Sequence, residues 1–402
     1  MGMNAFIVDG ARSPIGSFGG ALRDVRTDDL AAHSLSSLVL KFKNLDLERI
    51  EDIYMGCANQ AGEDNRNVAR MASLLAGIPT SVPAETINRL CASGLSSVLH
   101  AQRAINSGAG DFFIAGGVEN MTRGPYVISK SGRAYGTDSK MYDSSFGWRF
   151  VNSRMKDTYG TEAMGETAEN LVEKYSISRE DQDKFALWSQ EKTQAAKQKG
   201  VFAEEISPLT IPQRKSEDII FAEDQFPRPK TSLEGLSKLK PAFRSPGTVT
   251  AGNSSGLNDG SCALLMASEA GLKTINSNPL ARVVCGTSVG VEPRTMGYGP
   301  VLASEKALKM AGLTMDQMDL IEINEAFSAQ VLSCTRALGL EDRDPRVNPN
   351  GGAISLGHPL GMTGARLALT AAKELNRSRG RYALVTMCIG VGQGFAVILE
   401  RQ

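Results

Sequence analysis

The hexapeptide Glu51-Asp-Ile-Tyr-Met-Gly56 returns 267 positions later as Met318-Asp-Leu-Ile-Glu-Ile323, and the chain around it repeats in step. The same spacing carries Cys91 onto His358 and Gly94 onto Gly361; Asp111–Gly117 returns as Arg381–Met387 at a spacing of 270. A period this long duplicates a domain-sized unit rather than stacking small modules. Each unit is a run of short apolar strands alternating with helical patterns, so two α/β halves are expected to face one another. Their equivalent helix-start loops then meet at a pseudo-twofold axis. Cys91 and His358 are expected to meet there.

Both turns carry the composition of a site. His358, one of three histidines, lies in Asn348–Arg366 among five glycines and two prolines, which exclude a regular helix or strand at the imidazole itself. Gly364–Leu375 beyond it reads as a helix. In Glu85–Ser97 an extended run reaches Cys91 and passes through Ala-Ser-Gly into a helix continuing past His100. Unpaired N–H groups at that helix start favour a thiolate at Cys91. A third stretch, Cys388-Ile-Gly-Val-Gly-Gln-Gly394, follows the strand Arg381–Met387. Each has a plainer reading: a rigid turn whose histidine only hydrogen-bonds, or a thiol that is a small buried hydrophobe. The repeat, by pairing two of them, favours a site.

Between Arg123 and Ala251 the texture changes to short elements and charged loops, with one clear helix that begins at Ser178-Arg-Glu-Asp and stops before Gly200. This segment reads as an insertion. Its basic end, Arg228–Lys240 with Arg244 beyond, is either a solvated surface or a phosphate-binding patch. Lys+Arg and Asp+Glu both number 44, so no global field draws in nucleic acid or an anionic membrane. No apolar run is long enough to span a bilayer. The six cysteines show no metal-like spacing; they suggest free thiols in a reducing, cytoplasmic setting, with no metal.

Asn88-Arg-Leu-Cys-Ala-Ser-Gly-Leu95, Asn324-Glu-Ala-Phe327, Gly351-Gly-Ala-Ile-Ser-Leu-Gly-His-Pro359 and Cys388-Ile-Gly390, in that order, resemble the thiolase family along nearly the whole chain. The resemblance implies two βαβαβαββ halves stacked in αβαβα layers plus an inserted loop domain. Residues 1–122 with 252–277 would form the first half, 123–251 the insertion that binds CoA and makes oligomer contacts, and 278–402 the second half. It implies CoA-dependent acyl transfer with no tightly bound cofactor and CoA as co-substrate, in a homotetramer built as a dimer of dimers. Carried over by motif, Cys91 is the acylated nucleophile, His358 its base and Cys388 the second thiol, which moves a proton to or from the substrate. Asn324 would position an oxyanion-hole water together with His358, while the Cys91 and Gly390 N–H groups form the hole for the acyl-enzyme. Arg228, Ala251 and Ser255 match CoA-contacting positions, and Met164 and Phe327 match pocket walls.

Glu162-Ala-Met-Gly165 lacks the histidine that short-chain biosynthetic thiolases place there, which weakens acetoacetyl-CoA synthesis from two acetyl-CoA as the alternative. Tyr142–Asn152, Asn348–Asn350 and Met387–Gln393 look most like 3-oxoadipyl-CoA thiolases of aromatic degradation. For that substrate Arg149 is the expected partner of the distal carboxylate, the alternative being a surface or subunit-contact residue. A decarboxylating ketosynthase would need a second histidine on a comparable turn, and His33 and His100 lie in helical patterns. A non-catalytic acyl or lipid carrier on the same scaffold would not need Cys91, His358 and Cys388 together.

Overall fold

A computed structural model describes residues 3–402. The first half contributes strands β1 (Ala5–Arg12), β2 (Ile50–Gly56), β3 (Ala84–Ile87), β4 (Phe112–Asn120) and β5 (Asn258–Ser268). The second contributes β6 (Ala281–Gly290), β7 (Leu320–Ile323), β8 (Tyr382–Ile389) and β9 (Gln393–Glu400). Together with the two-residue strand Gly16–Ser17, which pairs with β5, they form one sheet in the order β7-β8-β9-β6-β1-β5-β4-β2-β3.

The repeat is visible in the pairing. In the first half β1 and β4 both run antiparallel to β5, and β4, β2 and β3 run parallel. In the second, β6 and β8 both run antiparallel to β9, and β8 and β7 run parallel. Ile53 pairs with Ile114 in one half and Leu320 with Ala383 in the other, so Leu320 falls where the spacing of 267 puts it and its partner lies one residue before Leu384, the position the spacing of 270 gives. Even β3 has a vestige in the second half, where Val347 makes a single parallel bridge to Ile321. Within the sheet, β1 and β6 join the halves through two residue pairs, Phe6 with Arg282 and Ile7 with Ala281.

Alternating side chains sort into layers. Ile7, Phe113, Ala115, Leu264 and Met266 from the first half share a central core with Val385, Met387, Val397 and Leu399 from the second. That core encloses α2 (Ser93–Asn106) and a long helix (Leu360–Ser378, called α5 below). The opposite faces pack outward, Val8, Ile114 and Leu265 against α1 (Thr27–Val39). Leu384, Ala396 and Ile398 pack against α3 (Gly299–Ala311) and α4 (Ser328–Ala337). Five layers result, helix, sheet, helix, sheet, helix. Because every central strand is covered on both sides, β5 is buried at all eleven positions, and its middle, Cys262–Ala267, reads in sequence as an apolar run.

Residues 123–251 leave this plan. They form the hairpin Tyr126–Ile128 with Met141–Asp143, helices Ser153–Tyr159, Met164–Tyr175 and Arg179–Gln198, the hairpin Leu209–Ile211 with Ile219–Phe221, and the turn of helix Leu233–Ser237. Ser178 caps the longest of these helices as expected, its hydroxyl accepting from the Asp181 N–H at 3.0 Å. Among the described residues, no helix is long and apolar enough to cross a membrane.

Candidate active site

The two middle-layer helices begin at the two predicted turns, and their heads touch. A Cβ at Gly94 would lie 2.5 Å from the Gly361 carbonyl oxygen, and one at Gly117 would overlap that oxygen. Only glycine permits this approach. The contact joins residues three positions beyond Cys91 and His358, respectively, which is the meeting the repeat predicts.

After β3 the chain passes through Leu90, held at φ 48°, into the turn Leu90–Ala92. A γ-branched residue in this left-handed region is strained by roughly 1–3 kcal/mol and stays there only if its surroundings hold it. The motif supplies the hold. Asn88 Oδ1 accepts the Leu90 N–H at 2.9 Å. Ser93 Oγ accepts the Arg89 N–H at 2.8 Å and donates to the Leu90 carbonyl at 2.6 Å. Cys91 is thereby presented half-buried. Its thiol differs from expectation: burial pushes it up to about 11 against the pull of the Gly390 and Cys91 N–H dipoles, and Glu119 adds to the rise. Desolvation of the anion outweighs the donors at the helix start, so the resting residue is a thiol.

His358 follows Gly357, whose φ of 105° makes the turn, and precedes α5 directly. The single helical turn Ala353–Leu356 just before it leaves the imidazole itself outside regular structure. The side chain is 5% exposed. Nδ1 lies 2.7 Å from Thr363 Oγ1, and that hydroxyl donates to the Pro359 carbonyl at 2.8 Å. Thr363 must therefore accept, which assigns the imidazole proton to Nδ1 and leaves a lone pair on Nε2. The Asn324 amide faces that lone pair at 3.3 Å. Burial, with the Arg366 charge, lowers the imidazole to about 3. The arrangement is a neutral base with its free nitrogen defined.

Cys388, 1% exposed near the end of β8, lies close enough to Cys91 for that thiol to add to the rise burial imposes on it. It shares an apolar cluster with Ala168, Val249, Met296, Ala326 and Phe327. Gly390 separates Leu90 from Met164: a Cβ there would be 3.4 Å from Leu90 Cδ1 and 3.7 Å from Met164 Sδ. Phe243 meets Phe327 edge-on at 6.2 Å and completes this wall. The loop carrying Ala251 and Ser255 docks on the same wall, Ser255 N–H donating to the Ala326 carbonyl at 2.9 Å.

Of the basic stretch, Arg244 is held by Glu166 and Glu173, and Lys238 pairs with Glu234. Arg228, Lys230 and Lys240 have no carboxylate partner among the described residues. Arg228 stacks over Phe226 at 5.0 Å and lines a cavity of about 460 Å³ with Ser17, Phe18, Gln225, Gly256 and Leu257. That cavity opens beside the Ala251–Ser255 loop and offers an anion an unpaired guanidinium.

Arg149 is half-buried; its Nη1 donates to the Ser144 carbonyl at 3.1 Å, and its charge partly offsets the rise that burial imposes on the Asp64 carboxyl. Neither partner belongs to the Cys91–His358–Cys388 group. His33 bonds the Ser207 carbonyl at 3.0 Å and His100 packs edge-on against Tyr54, so neither approaches the site's turns. Thr363, Phe243 and Glu119 were missed in the sequence reading; of these only Thr363 had a visible signal, a hydroxyl five residues past the histidine. Ligand atoms of Cys57, Asp64 and Glu119 lie within 4.8 Å of one another, the kind of grouping that can bind a metal. Here the Cys57 thiol donates to the Asn59 carbonyl and three N–H groups occupy the Glu119 oxygens. The cluster is hydrogen-bonded, not a free ligand set.

Two family models cover almost all of the sequence, one described as thiolase, N-terminal domain, over residues 5–270, the other as thiolase, C-terminal domain, over 277–401. The chain is 56% identical over 397 residues to an Escherichia coli protein named 3-oxoadipyl-CoA/3-oxo-5,6-dehydrosuberyl-CoA thiolase, covering 99% of each. It is 54% identical over 398 residues to an Acinetobacter baylyi protein named beta-ketoadipyl-CoA thiolase, again covering 99% of each. The crystal structure of human mitochondrial 3-ketoacyl-CoA thiolase superposes with a TM-score of 0.92 at 40% identity, over 100% of this chain and 99% of that one.

Proposed function

We propose, from the premise that this chain belongs to the thiolase family and is a CoA-dependent acyltransferase, that it cleaves 3-oxoadipyl-CoA with CoA to succinyl-CoA and acetyl-CoA. The observation that carries the reading is the contact between the two helix heads, which puts the Cys91 turn, the His358 turn and the Cys388 strand end at one place.

Cys91 is the nucleophile. His358 Nε2 takes its proton as the sulfur attacks the 3-keto carbon, so no free thiolate has to persist at rest. The C2–C3 bond then breaks, leaving succinyl on Cys91 and the enolate of acetyl-CoA, which Cys388 protonates at C2. CoA next gives a proton to the Cys388 thiolate, its sulfur attacks the acyl-Cys91 carbonyl, and succinyl-CoA leaves as the Cys91 thiol is restored. The N–H groups of Cys91 and Gly390 stabilise the acyl-enzyme oxyanion. Asn324, whose Oδ1 has no protein partner, and His358 hold a water at the thioester oxyanion. Arg228, with Ala251 and Ser255, meets CoA at the cavity mouth, and Met164 and Phe327 wall the acyl channel.

The division into residues 1–122 with 252–277, 123–251 and 278–402 is part of this reading. So is assembly as a homotetramer, supported by the exposed Tyr126, Ile128 and Met141 on the first hairpin of the insertion. So is a cytoplasmic setting, supported by six free thiols.

The names of the relatives support the substrate, and Arg149 is the cation proposed for its distal carboxylate. A 3-oxoadipyl chain ends in a carboxylate, which an apolar channel admits only beside a cation. Loss of 3-oxoacyl-CoA absorbance, strictly dependent on added CoA, should be fastest for 3-oxoadipyl-CoA in a panel of chain types. Arg149→Ala should lower kcat/KM for that substrate about thirtyfold, the equivalent of roughly 2 kcal/mol for an unpaired desolvated carboxylate, and leave acetoacetyl-CoA nearly unchanged. Equal losses on both would give Arg149 a structural role.

A further inference from the structure

We propose that Glu119 is a positioning residue for the reaction: its carboxylate ties the loop behind the Cys91 turn to the head of the helix that follows His358. The inference rests on the roles assigned above to Cys91 and His358.

Glu119 stands at the end of β4, 1% exposed, and the sequence gives it no distinction beyond following an apolar strand. One of its oxygens, Oε2, accepts the Ala58 N–H at 2.9 Å and the Gly361 N–H at 2.8 Å. The other accepts the Asn59 N–H at 2.9 Å. Ala58 and Asn59 follow β2 in the first half, and Asn88, which fixes the strained Leu90, donates to the Ala58 carbonyl at 3.0 Å. Gly361 lies in the first turn of α5 in the second half, three residues past His358. One buried oxygen thus bridges the halves behind both reactive side chains. An anion also suits the N-terminus of α5, whose first N–H groups lack helical partners.

No neutral isostere satisfies all three donors. Glutamine in the same pose can keep the Oε2 bridge only by turning its NH₂ toward the Asn59 N–H, donor against donor. Around the carboxylate stand Cys57, Asp64 and Cys91, with Arg149 beside Asp64; Asp259 on the adjacent strand is turned to Thr122. Burial pushes Glu119 up to about 7 against the pull of its three N–H donors, with a further push from Asp64. The ionised form holds the His358 helix, and the same charge opposes ionisation of Cys91. Glu119 therefore orients the base while making the nucleophile less acidic.

Those effects separate in Glu119→Gln, studied as the intact enzyme. Turnover should fall about 10²-fold, the scale of a misplaced catalytic group, with little change in the KM for CoA. Alkylation of Cys91 by iodoacetamide, mapped by peptide mass, should become faster, with its pH profile moved to lower pH. Unchanged turnover, or turnover and alkylation falling together, would overturn the proposal. Should the variant not fold, the wild-type profile decides: Cys91 alkylation must show an inflection near 7 besides the titration of the thiol itself, and a single ionisation would overturn it. Acetylation of wild-type Cys91 by acetyl-CoA is scored in parallel. Its absence sinks the nucleophile assignment, whereas its presence without the split sinks Glu119 alone.

Discussion

At the head of α2 the chain turns through Leu90 at φ 48° and leaves Cys91 half-buried; at the head of α5 it turns through Gly357 at φ 105° and buries His358 to 5% exposure. The positions are equivalent in the repeat, and both side chains are desolvated enough to be neutral at rest. The difference lies in how each is held. Both ring nitrogens of His358 have protein partners, Thr363 and Asn324. The Cys91 sulfur has no hydrogen-bonded side-chain partner among the described residues. The contrast suits the proposed roles, a base that works from a fixed place and a nucleophile that has to reach a substrate carbon. Duplicated turns have therefore diverged into a pinned residue and a presented one.

Removing the presented group should have the largest effect. Cys91→Ala should cost at least about 10⁴-fold in turnover, because the covalent centre is gone, with folding and CoA binding largely retained. Intact-mass measurement after acetyl-CoA treatment should show one acetyl group on the wild type and none on the variant. An adduct of equal occupancy on both would remove Cys91 from the chemistry and dissolve the contrast between the turns.

Cys388→Ala tests whether the second thiol belongs to the presented side. It should still accept acetyl on Cys91 but lose about 10²–10⁴-fold in carbon–carbon cleavage, where a general acid is required. A loss below tenfold would leave Cys388 as a packed residue of its apolar cluster.

Thr363→Val tests the pinned side with almost no change in volume. It strands the Nδ1–H in a buried site, a penalty of roughly 1–3 kcal/mol, and frees the other tautomer, which has no lone pair on Nε2. Turnover should fall about tenfold to a hundredfold, and Thr363→Ser should recover most of it. Failure of serine to rescue would mean that the methyl group, not the hydroxyl, matters there.

The legible part of this molecule follows the same division. The repeat predicted the paired halves, and Asn88–Leu95 and Gly351–Pro359 predicted both turns, because sharp turns need residues that are conspicuous in sequence. What holds the turns was harder to read. Thr363 looks like one more small residue in a helix start; its hydroxyl donates to the carbonyl one turn back, as a helical threonine commonly does, and only the tertiary turn at Gly357 brings the imidazole onto it. Glu119 looks like a strand-ending surface acid until two loops, one about sixty and the other about two hundred and forty residues away in sequence, bring it their N–H groups. The direction of the Cys91 ionisation was misjudged for a related reason. Proximity to a helix start is local and visible, whereas desolvation depends on the C-terminal half folding over the thiol.

The smallest effect, and the one that measures how tightly the base side is closed, is thermodynamic. His358 in the folded chain titrates at about 3, below an ordinary histidine at 6.5, because burial and the Arg366 charge oppose its protonation. Above pH 6.5 the imidazole is neutral both folded and unfolded, and the group adds nothing to the pH dependence. As pH falls below 6.5 the unfolded chain takes up a proton that the folded chain refuses, so stability drains away until about pH 3. His358→Asn removes this linkage. Whatever else the substitution costs, the stability gap between wild type and variant should shift by about 2 kcal/mol in the variant's favour from pH 8 to pH 5, read from urea midpoints at each pH. The raised carboxyls of Glu119 and Glu322 act in the opposite sense, destabilising the fold as pH rises, and they cancel in the comparison because both proteins carry them. A gap that stays constant would mean that the folded protein protonates His358 as readily as the unfolded chain does. The imidazole would then be open to water, and the pinned turn set against the Cys91 turn above would not exist.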